Sequence, residues 1–122
     1  MQSYKDLEIY KLAHKLAVEI HKMTLRELPK FEIYEEGSQI RRSSKGVVST
    51  IVEGFGRKVY QQDYLKFMIY AHSSCDETKE HLGLLFGTDS LKSKEKFDYF
   101  LSEYEKLSKM INKFIQSLKL SI

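Results

Sequence analysis

The sequence predicts an all-α protein, an antiparallel up-down four-helix bundle, and three observations predict it. Apolar residues recur at steps of three and four in four separate stretches, as one face of a helix requires. Six glycines and one proline in 122 residues give too little turn chemistry for a β-sandwich or barrel, whose short strands need frequent punctuation. The connections are short, so helices of about 30 to 40 Å at 1.5 Å per residue pack antiparallel to their chain neighbours.

The first stripe runs Leu7, Tyr10, Ala13, Leu16, Ala17, Ile20, Met23, Thr24 and Leu28, placing a helix over about 6–27. Ser3 followed by Asp6 reads as a capping arrangement, and Pro29 stops the helix because the residue before a proline is pushed out of the α region. After a linker over 30–37, Ile40, Ser43, Ser44, Val47, Val48, Ile51 and Phe55 define a second helix over about 35–54, with Gly54 and Gly56 read as its C-cap and turn. The third helix, about 61–86, carries Tyr64, Met68, Ala71, Cys75, Thr78, Leu82 and Leu85. Small residues at Ala71, Ser74 and Cys75 let a neighbour approach, and Gly83 reads as the mark of a tight crossing. Gly87 to Ser90 make a loop, Ser93 is an N-cap, and Phe97, Phe100, Leu101, Tyr104, Leu107, Ile111, Phe114 and Leu118 define the fourth helix over about 94–119. The whole chain, 1–122, reads as one domain without internal repeats.

Composition narrows the function classes. A lone cysteine excludes an internal disulfide and a cysteine-rich zinc site, and no apolar run approaches a membrane span, so a cytoplasmic location is expected. The net charge of +3 is unevenly placed: +3 over 1–60, −3 over 61–90 and +3 over 91–122. The Glu-x-x-His pairing of di-iron bundles is missing, and His14 with His21, or His72 with Asp76, falls short of a metal ligand set. Gly54-Phe55-Gly56 lacks the Gly-Lys-Ser/Thr of a phosphate loop. Cys75, on the apolar stripe beside Asp76 and Glu77, reads as a core thiol with a raised pKa. No cofactor and no catalytic constellation is expected.

Polar residues embedded in apolar faces form two clusters. Gln39, Arg41, Arg42, Ser43 and Ser44 begin the second helix, with Glu53 and Arg57 at its end; Ser74 and Glu77 lie in the third. Arg42 and Glu53 share a face about 16 Å apart, so their partners must come from other helices or subunits. The leading reading is a structural polar network of Gln39, Arg42, Glu53, Arg57, Ser74 and Glu77, buried or interfacial, because an unpaired buried charge is strongly destabilising. Ligand or phosphate binding is the alternative.

The same residues resemble the 23S rRNA intervening-sequence protein family, over nearly the whole chain. Its elements correspond here to Asp6-Leu7-Glu8-Ile9-Tyr10, Gln39-Ile40-Arg41-Arg42-Ser43-Ser44, Ile51-Val52-Glu53-Gly54-Phe55-Gly56-Arg57 and Ala71-His72-Ser73-Ser74-Cys75-Asp76-Glu77, in that order. Gly46, Thr50, Val52 and Ser73 depart from the family pattern, where Ser, Asn, Ala and Gly are usual. The resemblance implies a four-helix bundle assembling as a ring-like homopentamer without known catalytic activity. The family is similar to the accessory variability determinant of diversity-generating retroelements, a basic pentamer that binds nucleic acid and a reverse transcriptase. Some members are encoded inside insertions of the large ribosomal RNA gene.

The expectation is therefore a non-enzymatic oligomer that binds RNA or DNA through phosphate contacts, which position without specifying sequence. Five copies at +3 each would carry +15. Candidate contacts are Arg41, Lys45, Lys58, Lys109 and Lys113, and the surplus apolar surface for assembly includes Phe67 and Tyr70. The alternative is an oligomeric scaffold for a protein partner without nucleic-acid binding.

Overall fold

The computed structural model describes residues 3–122. Four long helices, α1 (Glu8–Glu27), α3 (Glu36–Gly56), α4 (Gln61–Gly87) and α5 (Lys94–Ser121), form the bundle, and a single helical turn, α2 (Lys30–Ile33), sits between α1 and α3. Packing runs α1 against α3, α3 against α4, α4 against α5 and α5 back against α1, so the α1/α3 and α4/α5 faces lie on opposite sides. Among the described residues no helix is long and apolar enough to cross a membrane.

The core is the set of stripes seen in the sequence. Leu16, Ile20, Ile40, Val47, Ile51, Met68, Leu82, Leu85, Tyr104, Leu107 and Ile111 are fully buried, with Leu91 added from the α4–α5 loop. Tyr10, Val48, Phe55, Phe97 and Phe114 pack at its edge. Ser93 caps α5 through the Lys96 amide. Asp89 takes the left-handed conformation at φ 66° in the loop before α5, a region that Asp visits more readily than most side chains.

Four local expectations need correction. The Ser3 and Asp6 capping box is present, but it caps a 3-10 turn over Tyr4–Asp6, and α1 itself starts at Glu8 after an extended Leu7. The linker over 30–37 is not irregular: Pro29 opens α2, and α3 follows within three residues. Gly54 is no C-cap, because α3 continues to Gly56 and a Cβ on Gly54 would come within 2.8 Å of Met68 Cε and 3.0 Å of Phe67 Cβ. Gly83 marks no crossing; a Cβ there meets nothing within 4 Å. The close approach lies between α3 and α4, where Gly54 faces Met68, Gly46 faces Ser74, and the Ser43 and Thr78 hydroxyls meet at 2.8 Å.

Candidate nucleic-acid interface

Between helices α1 and α3 lies an apolar groove of about 430 Å³, walled by Ala17, Val18 and Val48 and edged by His14, His21, Lys22 and Lys45. None of its lining residues is acidic. Neither Lys22 nor Lys45 has an ion-pair or hydrogen-bond partner among the described residues. Partial desolvation first, and then the nearby Lys45 and Arg41 charges, push the His21 pKa below its ordinary 6.5. His14 is oriented by the Tyr10 hydroxyl at 3.3 Å from its Nδ1.

The five candidate contacts do not converge on one face of the chain. Lys45 edges the α1/α3 groove. Arg41 stands close by, but its half-buried guanidinium is engaged at both ends, Nη1 donating to Thr24 Oγ1 and Nη2 to the Ile33 carbonyl, each at 2.9 Å. Lys58 lies on the α3–α4 turn with Nζ 3.9 Å from the Phe55 ring centre. Lys109 faces the polar α4/α5 groove among His72, Asp76, Lys79 and Glu105, and Lys113 lies beside Asp6 and Glu8 in a groove at the start of the chain. Those two lysines therefore sit where carboxylates offset their charge, whereas Lys45 does not.

Within one copy of the chain the exposures correct the buried form of the expected network; its interfacial form would place these residues between subunits. Glu53 and Arg57 pair with each other one turn apart at 3.4 Å, both about half exposed, and Arg57 also reaches Asp63 at 3.6 Å. Such a pair contributes about 0.3 to 0.5 kcal/mol, far below a buried one. Gln39 and Arg42 are exposed, Glu77 is exposed at 3.6 Å from His81 Nε2, and Ser74 is half-buried opposite Gly46. The physical reason is position: Glu53 lies off the Ile40, Val47 and Ile51 stripe of α3, and Arg57 is the residue just past its end.

The buried polar work is done by residues the sequence reading passed over. Glu32 in α2 accepts from the Ser90 hydroxyl and from the Glu36 amide. Glu36 in turn lies 2.6 Å from His81 Nδ1, so α2, the start of α3, α4 and the α4–α5 loop are tied at one end of the bundle. Gly37 is needed there, since a Cβ would lie 2.8 Å from the Glu32 carbonyl. Lys22 was also missed; its signal is a second, wetter stripe on the first helix, His14, Val18, His21 and Lys22, at the same steps of three and four as the core stripe.

Other chemistry is sparse. Cys75 is fully buried and burial pushes its thiol up to about 12, with nearby Lys79 opposing and Asp76 adding to the shift. Among the described residues no three His, Cys, Asp or Glu side chains are grouped to hold a metal ion.

An all-α bundle with a carboxylate-free cationic groove on one face is what these features define. The chain belongs to the 23S rRNA-intervening sequence protein family, whose model matches residues 5–113. A crystal structure of a protein with unknown function from the S23 ribosomal protein family of Bacteroides thetaiotaomicron is similar in fold, with a TM-score of 0.76, 20% identity, and 88% of this chain and 95% of that chain covered. No curated protein matches.

Proposed function

We propose that this protein is a non-enzymatic, self-associating helix bundle that binds nucleic acid through its phosphates, with the α1/α3 groove as the contact surface. The observation that carries the reading is the groove edge: Lys22 and Lys45 lack partners among the described residues, and no acid lines the site. A phosphate backbone supplies the missing counter-charge, and neutralising it releases condensed ions. RNA is the favoured polymer because the family's name refers to a 23S rRNA intervening sequence. Self-association would multiply the field, since each copy adds another such edge.

A second reading rests on the groove walls. Ala17, Val18 and Val48 offer an apolar floor that would suit the face of an acidic amphipathic partner helix, making the protein a scaffold. The two readings separate by variants. Changing Lys22 and Lys45 to glutamine should lower RNA affinity and flatten its salt dependence, while the same change at Lys109 and Lys113 should do much less. Equal losses from both pairs, or full RNA affinity in the groove variant, would remove the groove from the account, and absence of RNA binding by the wild type at low salt would leave the scaffold as the better function.

A further inference from the structure

The turn joining α3 to α4 and the first three turns of α4 carry a different surface, none of whose residues lines the groove. Val59 is 82% exposed, Tyr60 69% and Tyr70 47%. Phe67 and Tyr70 meet edge to face with ring centres 5.6 Å apart. The cations here lie over rings: Arg57 Cζ is 4.9 Å and Lys66 Nζ 5.5 Å from the Phe67 centre, and Lys58 Nζ is 3.9 Å from the Phe55 centre. Lys58 and Lys66 are in no ion pair among the described residues, while Arg57 is shared with Glu53 and Asp63.

Exposed Tyr60 and Tyr70, with half-buried Phe67 and the unpaired Lys58 and Lys66 beside them, are poorly suited to the centre of a protein interface, which selects against lysine. They suit a ligand that offers flat π-faces and negative charge at the same short spacing. Unpaired nucleotides do this, because each base can stack on an aromatic side chain while its phosphate meets a cation. A continuous duplex does not, since its bases are already stacked inside.

We propose that Tyr60, Phe67 and Tyr70, with Arg57, Lys58 and Lys66, form a stacking platform for unpaired nucleotides. This rests on the nucleic-acid reading above and narrows its ligand from any polyanion to single strands or the unpaired segments of a folded RNA.

The test uses the full chain with oligo(U) of about twelve nucleotides, a length within the usual range of single-strand sites, and an RNA duplex of equal length. The chain contains eight tyrosines and no tryptophan, so stacking reads out directly as quenched tyrosine emission. The wild type should bind the single strand about tenfold or more tightly than the duplex, with quenching. The Tyr60→Ala/Tyr70→Ala variant, checked for an unchanged thermal melt and sedimentation coefficient, should lose about tenfold or more of single-strand affinity and keep its duplex affinity and salt slope. Equal binding of single strand and duplex, with the tyrosine variant unchanged, would overturn the platform and leave the groove reading standing. Absence of binding to either RNA at low salt would overturn both. A variant that falls to a smaller assembly while keeping its single-strand affinity would mark the patch as a subunit contact and also overturn the platform.

Discussion

Ser90 donates its hydroxyl to the carboxylate of Glu32 across 58 positions of sequence, with both residues buried. The bond fastens the α4–α5 loop onto α2, and α2 in turn presents Glu32 to the first amide of α3. A short turn that the apolar pattern treats as linker is thereby fixed at one end of the groove-bearing helices.

Removing that hydroxyl leaves a buried carboxylate short of a donor. Ser90→Ala should cost about 1 to 3 kcal/mol of unfolding free energy by urea titration, the usual penalty for an orphaned buried polar group. Glu32→Ala should cost at least as much, because it also orphans the Glu36 amide. A change under about 0.5 kcal/mol in both would show that the end of the bundle is held by packing alone.

Two glycines should respond in opposite directions. Gly54→Ala forces a Cβ against Met68 and Phe67 at the α3/α4 crossing and should destabilise by about 1 to 3 kcal/mol. Gly83→Ala meets open space inside α4 and should stabilise by about 1 kcal/mol, through propensity alone. Thermal melts of the two variants check the pair.

Much of this was legible in the sequence, and the misses have physical causes. The four stripes identified the core because burial on one face leaves a periodic mark. The crossing was placed at Gly83 instead of Gly54 because a glycine in a helix has the same local cost whether its neighbour is a close helix or water. The Glu32 clasp left no mark at all, since a buried carboxylate in a four-residue helix depends on a serine 58 positions away. The groove was half visible: Lys45 was identified, whereas Lys22 belongs with it only once α1 is known to pack beside α3.

Tyr104 offers a stability gain. Its hydroxyl is fully buried near Ser44, with no hydrogen bond of good geometry among the described residues, and burial drives its pKa strongly upward. Tyr104→Phe keeps the ring in the core and removes the unsatisfied group. The expected unfolding free energy is unchanged or higher by up to about 1 kcal/mol. A loss of more than that would reveal a working bond to Ser44.

His21 reports on the groove without any added label. Its folded pKa is lowered below 6.5, so the native state resists protonation there and its contribution to stability is present above pH 6.5 and is lost as pH falls through the folded value. NMR titration should place the His21 midpoint below 6.5 in the free protein. Lys45→Gln should raise it, because one of the two cations opposing the imidazolium is gone. An unchanged midpoint would remove the electrostatic link between the two residues.

The most direct measurement is wild-type affinity for a single-stranded RNA, followed by anisotropy from about 50 to about 200 mM salt. Phosphate contact through Lys22, Lys45 and their copies predicts an affinity that falls steeply, with a log-log slope of about −0.7 for each phosphate neutralised and little dependence on base sequence. A flat salt dependence would contradict recognition through phosphates, and no binding at the lowest salt would contradict nucleic-acid recognition by this protein.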